Sequence, residues 1–117
     1  VWGDWCSPCI AKLPKLIEID KKNSNLKVVL VADGYLTGQH EIILFDAKYN
    51  GQPYILDAKT YGTDVKNKLR RLNPDLCPTC KFQPGFPQNY IFKEDGSLLL
   101  YHVGAMSDSL LVTLGII

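Results

Sequence analysis

The sequence predicts one α/β domain, a central mixed sheet flanked by helices, and three observations carry that reading. A helix-like pattern over 8–22 passes through the short polar connection "KNSN" into the β-branched run "LKVVLVAD", 26–33. Helix followed by strand over so short a link is the signature of alternating α/β architecture. Further on, "QNYIFKEDGSLLLYHVG" offers two strands around an Asp-Gly turn, a strong antiparallel hairpin signal. The chain has 117 residues, 46% of them hydrophobic, enough for a single core and too few for two.

Each element follows in order. From Pro8 to about Lys22, Ile10, Leu13, Leu16, Ile17 and Ile19 fall on or near one helix face. The 26–33 run lacks polar alternation, which predicts a strand covered on both faces. Gln39–Tyr49 is a second amphipathic helix, with Asn50-Gly51 as its stop. "PYILD", 53–57, is a short strand. A polar helix over 63–72 has Thr63 or Asp64 at its N-cap and Asn73-Pro74 as its end. A cysteine- and proline-rich loop, 73–87, leads to strands 88–93 and 97–103, and a helix from Ser107 to about Leu114 closes the chain.

Composition excludes several function classes. Thirteen basic residues face 12 acidic ones, and neither sign forms a block, so nothing recommends nucleic acid or a membrane surface as partner. No run approaches the ~20 apolar residues of a bilayer crossing, and a start at Val1 with a motif already at residue 6 is expected of a fragment or a trimmed chain, so what precedes the motif tells nothing of compartment. Four cysteines form two CxxC pairs, Cys6/Cys9 and Cys77/Cys80. A chain with this much apolar content does not need them as staples, which points to chemistry.

"WGDWCSPCIAKLP", 2–14, places the first pair at the start of the first helix. With Cys6 at the N-cap, positions i and i+3 lie about 5 Å apart on one face, within disulfide range. Free N–H groups and the positive end of the helix dipole favour a thiolate at Cys6. Cys6 is therefore the expected nucleophile, and Cys9, one turn deeper, the resolving thiol. Pro8 suits the first helical turn, Ser7 and Pro8 together tune the redox poise, and Trp5 is expected to wall off the thiolate. Pro14 is expected to kink the helix.

These residues, together with "GFPQNYIFKEDGSLLLYHVGAMS" downstream, resemble the thioredoxin superfamily, most closely its TlpA/ResA-type thiol-disulfide oxidoreductases. The resemblance covers most of the chain and is weakest over 34–82. It implies a thioredoxin-like fold over 1–117 with an inserted region at about 58–86, a cis-proline at Pro87 facing the dithiol, and Gly104 ahead of the last helix. Phe86 and Pro87 would shape the docking of an extended substrate peptide. The implied activity is a thiol-disulfide exchange on protein substrates, resupplied by an upstream thiol-disulfide donor, in a monomer without cofactor or metal. The subfamily implies an extracytoplasmic location, periplasmic or membrane-anchored, with a cytoplasmic one left open. Only "VWGDW" stands where that fold places a central strand, so the expectation is either residues upstream of Val1, including an anchor, or another filling for the gap. Asp33 is a stand-in for the buried carboxylate that some members use as proton acceptor.

The second pair, "CPTC", lacks a flanking Trp and a helix start, so its thiols should be less reactive. The resemblance would bring it near the active-site face. A structural disulfide or free thiols, a second redox pair, and half of a zinc site remain open in that order. The zinc module spanning both pairs is the rival function, although 67 residues separate Cys9 from Cys77 against roughly 15 to 20 in compact sites. A redox-inactive binding domain is the third. His40 and His102 are isolated, and "KLRR", 68–71, reads as a solvated helix face.

Overall fold

The computed structural model describes residues 1–34 and 37–117, and these form a mixed α/β domain. Its elements are α1 (Ser7–Lys22), β1 (Val31–Ala32), α2 (His40–Asp46), β2 (Tyr54–Ile55), α3 (Ala58–Tyr61), α4 (Val65–Leu76), β3 (Gln88–Phe92), β4 (Leu98–Val103) and α5 (Asp108–Thr113). β1 pairs in parallel with β2, and β3 pairs antiparallel with β4.

Val1 and Trp2 join the two ribbons. Trp2 donates its N–H to Val31 O at 2.9 Å and accepts from Asp33 N at 3.0 Å, a parallel bridge to Ala32. Val1 exchanges both backbone bonds with Gln88, at 2.6 and 3.0 Å, the mutual pattern of an antiparallel pair. Strand positions therefore run β2, β1, Val1–Trp2, β3, β4, and only β3 opposes the rest. Before Val1 the same two flanks, 26–31 and β3, border a cavity of about 370 Å³ that is walled by Leu16, Leu26, Leu76, Ile91 and Leu111 among others.

Side-chain alternation along β3 assigns the layers. Ile91 packs with Ile19 of α1, with Met106 just ahead of α5 and with Leu111 on it, whereas the Tyr90 hydroxyl donates to Asn73 Oδ1 of α4 at 2.7 Å. Helices α1 and α5 thus cover one face and α4 the other. The main core gathers Trp2, Cys6, Cys9, Leu13, Ile17, Leu30 and Ala32, closed by Leu44 and Ala47 from the α2 end.

Several expectations need correction. Within 26–33 only Val31–Ala32 forms a strand, and burial alternates: Leu30 and Ala32 are buried while Val29 is 54% exposed. The flank of this segment is the cavity, so no neighbour extends the ladder there. Helix α2 ends at Asp46, three residues before Tyr49, where Lys48 turns the chain at φ 61° ahead of Asn50-Gly51. Asn73-Pro74 does not end α4, which runs to Leu76 with Pro74 inside it. The missing proline N–H deprives only the carbonyl of Arg70, and Arg70 is exposed, so solvent replaces that bond. Helix α1 likewise carries a proline, Pro14, inside its 16 residues and is not ended by it. The short α3, capped by Asp57, opens the region at about 58–86 that reads as an inserted loop or helix.

Truncating the fully buried Leu13 to Ala should cost about 2–5 kcal/mol in denaturant unfolding. Val112→Ala, on the exposed face of α5, should stay within about 0.5 kcal/mol of the parent.

Candidate active site

The central bridge delivers the chain to the carboxyl edge of β1, and four residues after Trp2 the first helix begins. Cys6 is the N-cap of α1, with extended backbone (φ −97°, ψ 102°), and Pro8 occupies the first turn. The Cys6 N–H is held by Gly3 O at 3.1 Å. The Cys9 N–H, unpartnered within the helix, donates to Cys6 Sγ at 3.3 Å. A hydrogen bond and a dipole end directed at one sulfur favour its anionic form. Cys6 and Cys9 are joined as a disulfide with Cα atoms 5.3 Å apart. Both are buried, at 4% and 2% exposure, whereas Trp5, Ser7 and Pro8 are exposed on the rim.

The downstream loop meets this dithiol. The Phe86–Pro87 peptide bond is cis, and Phe86 packs on the core that holds both cysteines. Pro87 and Cys9 both line one small cavity of about 30 Å³. Gly104 N donates to Pro87 O at 2.8 Å and Asn89 Nδ2 to Gly104 O at 2.8 Å, so the start of the last segment clasps the proline. The buried Gln88 side-chain amide ties the loop from inside: its Nε2 donates to Gln83 O and Gly85 O, both at 2.8 Å, and its Oε1 accepts from the Tyr101 hydroxyl at 2.6 Å. Gly85 has φ 133°, and a Cβ there would meet Val103 Cγ1 at 2.8 Å. The loop is thus fixed by its own backbone and by one buried amide.

Asp33 lies at the end of β1 and is 1% exposed. Its Oδ2 accepts from Trp5 Nε1 at 3.4 Å, and its backbone carbonyl accepts from Lys68 Nζ at 2.6 Å. The carboxylate expected as a proton acceptor therefore meets the Trp5 indole. Burial raises its pKa above the ordinary value, while the Trp5 hydrogen bond and the Lys68 charge pull it back. Lys68, expected on a solvated face, is buried, as is Leu69. Its four-carbon stem lies inside while its ammonium meets the strand end, a pairing that sequence spacing of 35 residues could not reveal.

The second pair is elsewhere. Cys77 is the C-cap of α4, its N–H bound to Asn73 O at 2.8 Å, and it forms a disulfide with Cys80, Cα atoms 5.4 Å apart. Asn73 Nδ2 donates to Cys80 O at 3.1 Å. Lys68, near the start of α4, reaches Asp33 at the carboxyl edge of β1; Leu76, at its end, lines the cavity beside 26–31. Helix α4 runs against β1, so Cys77–Cys80 sits at the opposite sheet edge from Cys6–Cys9, not on the active-site face. The negative end of a helix dipole disfavours a thiolate there. The four sulfurs do not form one ligand set, and no cluster of three or more His, Cys, Asp or Glu side chains suited to a metal occurs among the described residues.

Asp33 yields a signed prediction. A carboxyl whose pKa is higher folded than unfolded adds stability at acid pH and loses it as pH rises through the folded value. Asp33→Asn should therefore melt above the parent at pH 7, and the difference should close as pH falls below 3.8. Thermal scans across that range measure it.

Compared with protein-family models, curated proteins and solved structures, the chain matches none. The functional reading rests on the site itself.

Proposed function

We propose that the chain is a thiol-disulfide oxidoreductase of thioredoxin-like fold acting on protein disulfides. The observation that carries this is the Cys6–Cys9 pair at the start of α1, with the Cys9 N–H directed at Cys6 Sγ. The mixed strand order with β3 alone reversed, and the cis Phe86–Pro87 bond beside the pair, support the fold reading.

In the reducing direction the Cys6 thiolate attacks one sulfur of a substrate disulfide. A Cys6–substrate mixed disulfide forms and the other substrate sulfur leaves as a thiolate, taking up a proton. The Cys9 thiolate then attacks Cys6 Sγ, releasing the second substrate thiol and closing Cys6–Cys9. The substrate gains two electrons and the protein loses two, which an upstream dithiol donor restores by the same exchanges. Run backwards, the sequence oxidises substrate thiols; the potential of Cys6–Cys9 against that of its partners sets the direction. The electrons travel on sulfur, so no cofactor enters. Trp5, Ser7, Pro8, Phe86 and Pro87 form the contact rim. The resemblance to TlpA/ResA-type proteins supports an extracytoplasmic setting; no helix among the described residues is long and apolar enough to cross a membrane. The zinc reading has no support from geometry, because the two pairs occupy opposite sheet edges.

Insulin reduction with a dithiol donor tests the proposal. Cys6→Ala should reduce turnover to background, and Cys9→Ala should accumulate the mixed disulfide. Turnover lost through Cys77→Ala/Cys80→Ala, but not through Cys6→Ala, would sink the reading. That double variant should instead keep turnover and lose about 2 kcal/mol of stability, the loop-closure value for so short a ring.

A further inference from the structure

Lys12 is the only charged side chain in the first two turns of α1, and it stands one turn past Cys9. Residues three apart on a helix are surface neighbours, and long side chains there lean back over the preceding turn. The Lys12 stem therefore lies over the turn that carries Cys9. Both residues line the cavity of about 30 Å³, together with Val1, Trp2, Pro87 and Asn89 among others. Room for no more than about two waters leaves little solvent to screen a charge from that wall. The Lys12 ammonium is held by Asp108, the first residue of α5, at 3.5 Å. The Lys12 side chain is 23% exposed and that of Asp108 71%, so the carboxylate is the more strongly screened of the two.

Other titratable groups around the dithiol are neutral or committed to partners. The amino group of Val1, on the same cavity, is pulled down to about 5 by burial and is uncharged at pH 7. Asp33 accepts from Trp5 Nε1 and Asp4 from Thr37, and the Tyr49 hydroxyl, raised by burial, donates to Gln52 O. On α2, His40 lies 3.9 Å from Glu41.

We propose that Lys12 is a positioning residue for the resolving step: its ammonium, held over the Cys9 turn by Asp108, favours the Cys9 thiolate and so shortens the life of the mixed disulfide. This deepens the oxidoreductase reading and rests on it for its substrate. Cys9 is 2% exposed, and burial alone disfavours a thiolate, so the deeper sulfur needs an opposing charge where Cys6 has the helix start. An ammonium has no lone pair and takes no proton. Solvent takes the Cys9 proton, and the thiolate then forms the Cys9–Cys6 bond. The bond from Cys6 to the substrate breaks, and the substrate sulfur leaves with the electron pair as a thiolate that picks up a proton. Lys12 acts by charge on the first of these events.

The test reads Cys9 directly. In Cys6→Ala, with Cys77–Cys80 closed, Cys9 is the one free thiol, and its thiolate is followed by ultraviolet absorbance against a Cys6→Ala/Cys9→Ser blank. Adding Lys12→Met, which keeps the stem, should lower the thiolate fraction at pH 7 roughly threefold, the worth of a partly screened charge, while Lys12→Arg should match the parent. In single turnover of the reduced protein with insulin, Lys12→Met should slow decay of the mixed disulfide by the same factor at pH 7. The difference should close at alkaline pH, where Cys9 is ionised in both. An unchanged Cys9 titration in Lys12→Met overturns the proposal, as does a loss that Lys12→Arg fails to recover, which would mark a packing role. If Lys12→Met does not fold, Lys12→Gln takes its place and the same outcomes decide. A parent without turnover overturns the oxidoreductase reading alone, since the Cys9 titration is read without substrate.

Discussion

Four backbone hydrogen bonds made by Val1 and Trp2 hold the two ribbons of the sheet together, and the position of every group at the dithiol follows from them. Because Trp2 runs parallel to β1, both segments end at the same sheet edge. The chain leaving Trp2 must therefore turn into α1 beside Asp33. Because Gln88 pairs with Val1 in the opposite sense, the residues just before it, Phe86 and Pro87, arrive at that same edge. Crevices at the carboxyl ends of parallel strands recur as ligand sites in α/β sheets for this reason. Here two residues of strand are enough to bring a helix start, a carboxylate and a cis-proline together.

The two CxxC pairs have the same spacing and opposite electrostatics. Cys6 opens a helix, where unpaired N–H groups and the positive dipole end meet its sulfur. Cys77 closes one, where carbonyl groups and the negative end prevail. Spacing alone made both geometrically capable of a disulfide. Placement on the helix separates a pair at a positive dipole end from one at a negative end, and the second fastens the end of α4, through Asn73 and Tyr90, to β3.

What was legible in the sequence was local. Cys6 as N-cap with Pro8 behind it, a cap at Thr63 or Asp64, of which Asp64 is the one used, a last helix opening at Ser107, and the 88–103 hairpin all depend on neighbours a few residues away. What was hidden depends on distant partners. Pro74 reads as a helix end until the exposure of Arg70 shows that the lost bond faces solvent. The 26–33 run reads as doubly covered until its flank proves to be a cavity. Lys68 reads as solvated because the carbonyl it binds is 35 residues away. Gly3 gave one sequence signal, a glycine between two tryptophans, but its meaning depends on where the Trp5 ring falls.

The fastening at the end of α4 also constrains the surroundings in which the molecule can work. Under the proposed function both disulfides would meet the same pool of thiols, and a donor that resets Cys6–Cys9 would have to discriminate against Cys77–Cys80 within one chain. Cys77 is buried and Cys80 half-buried, and the Asn73 amide holds the Cys80 carbonyl, so the second pair is tied into the end of the helix. On the proposed function, a reductant strong enough to open both pairs would loosen the end of α4 while it charged the dithiol.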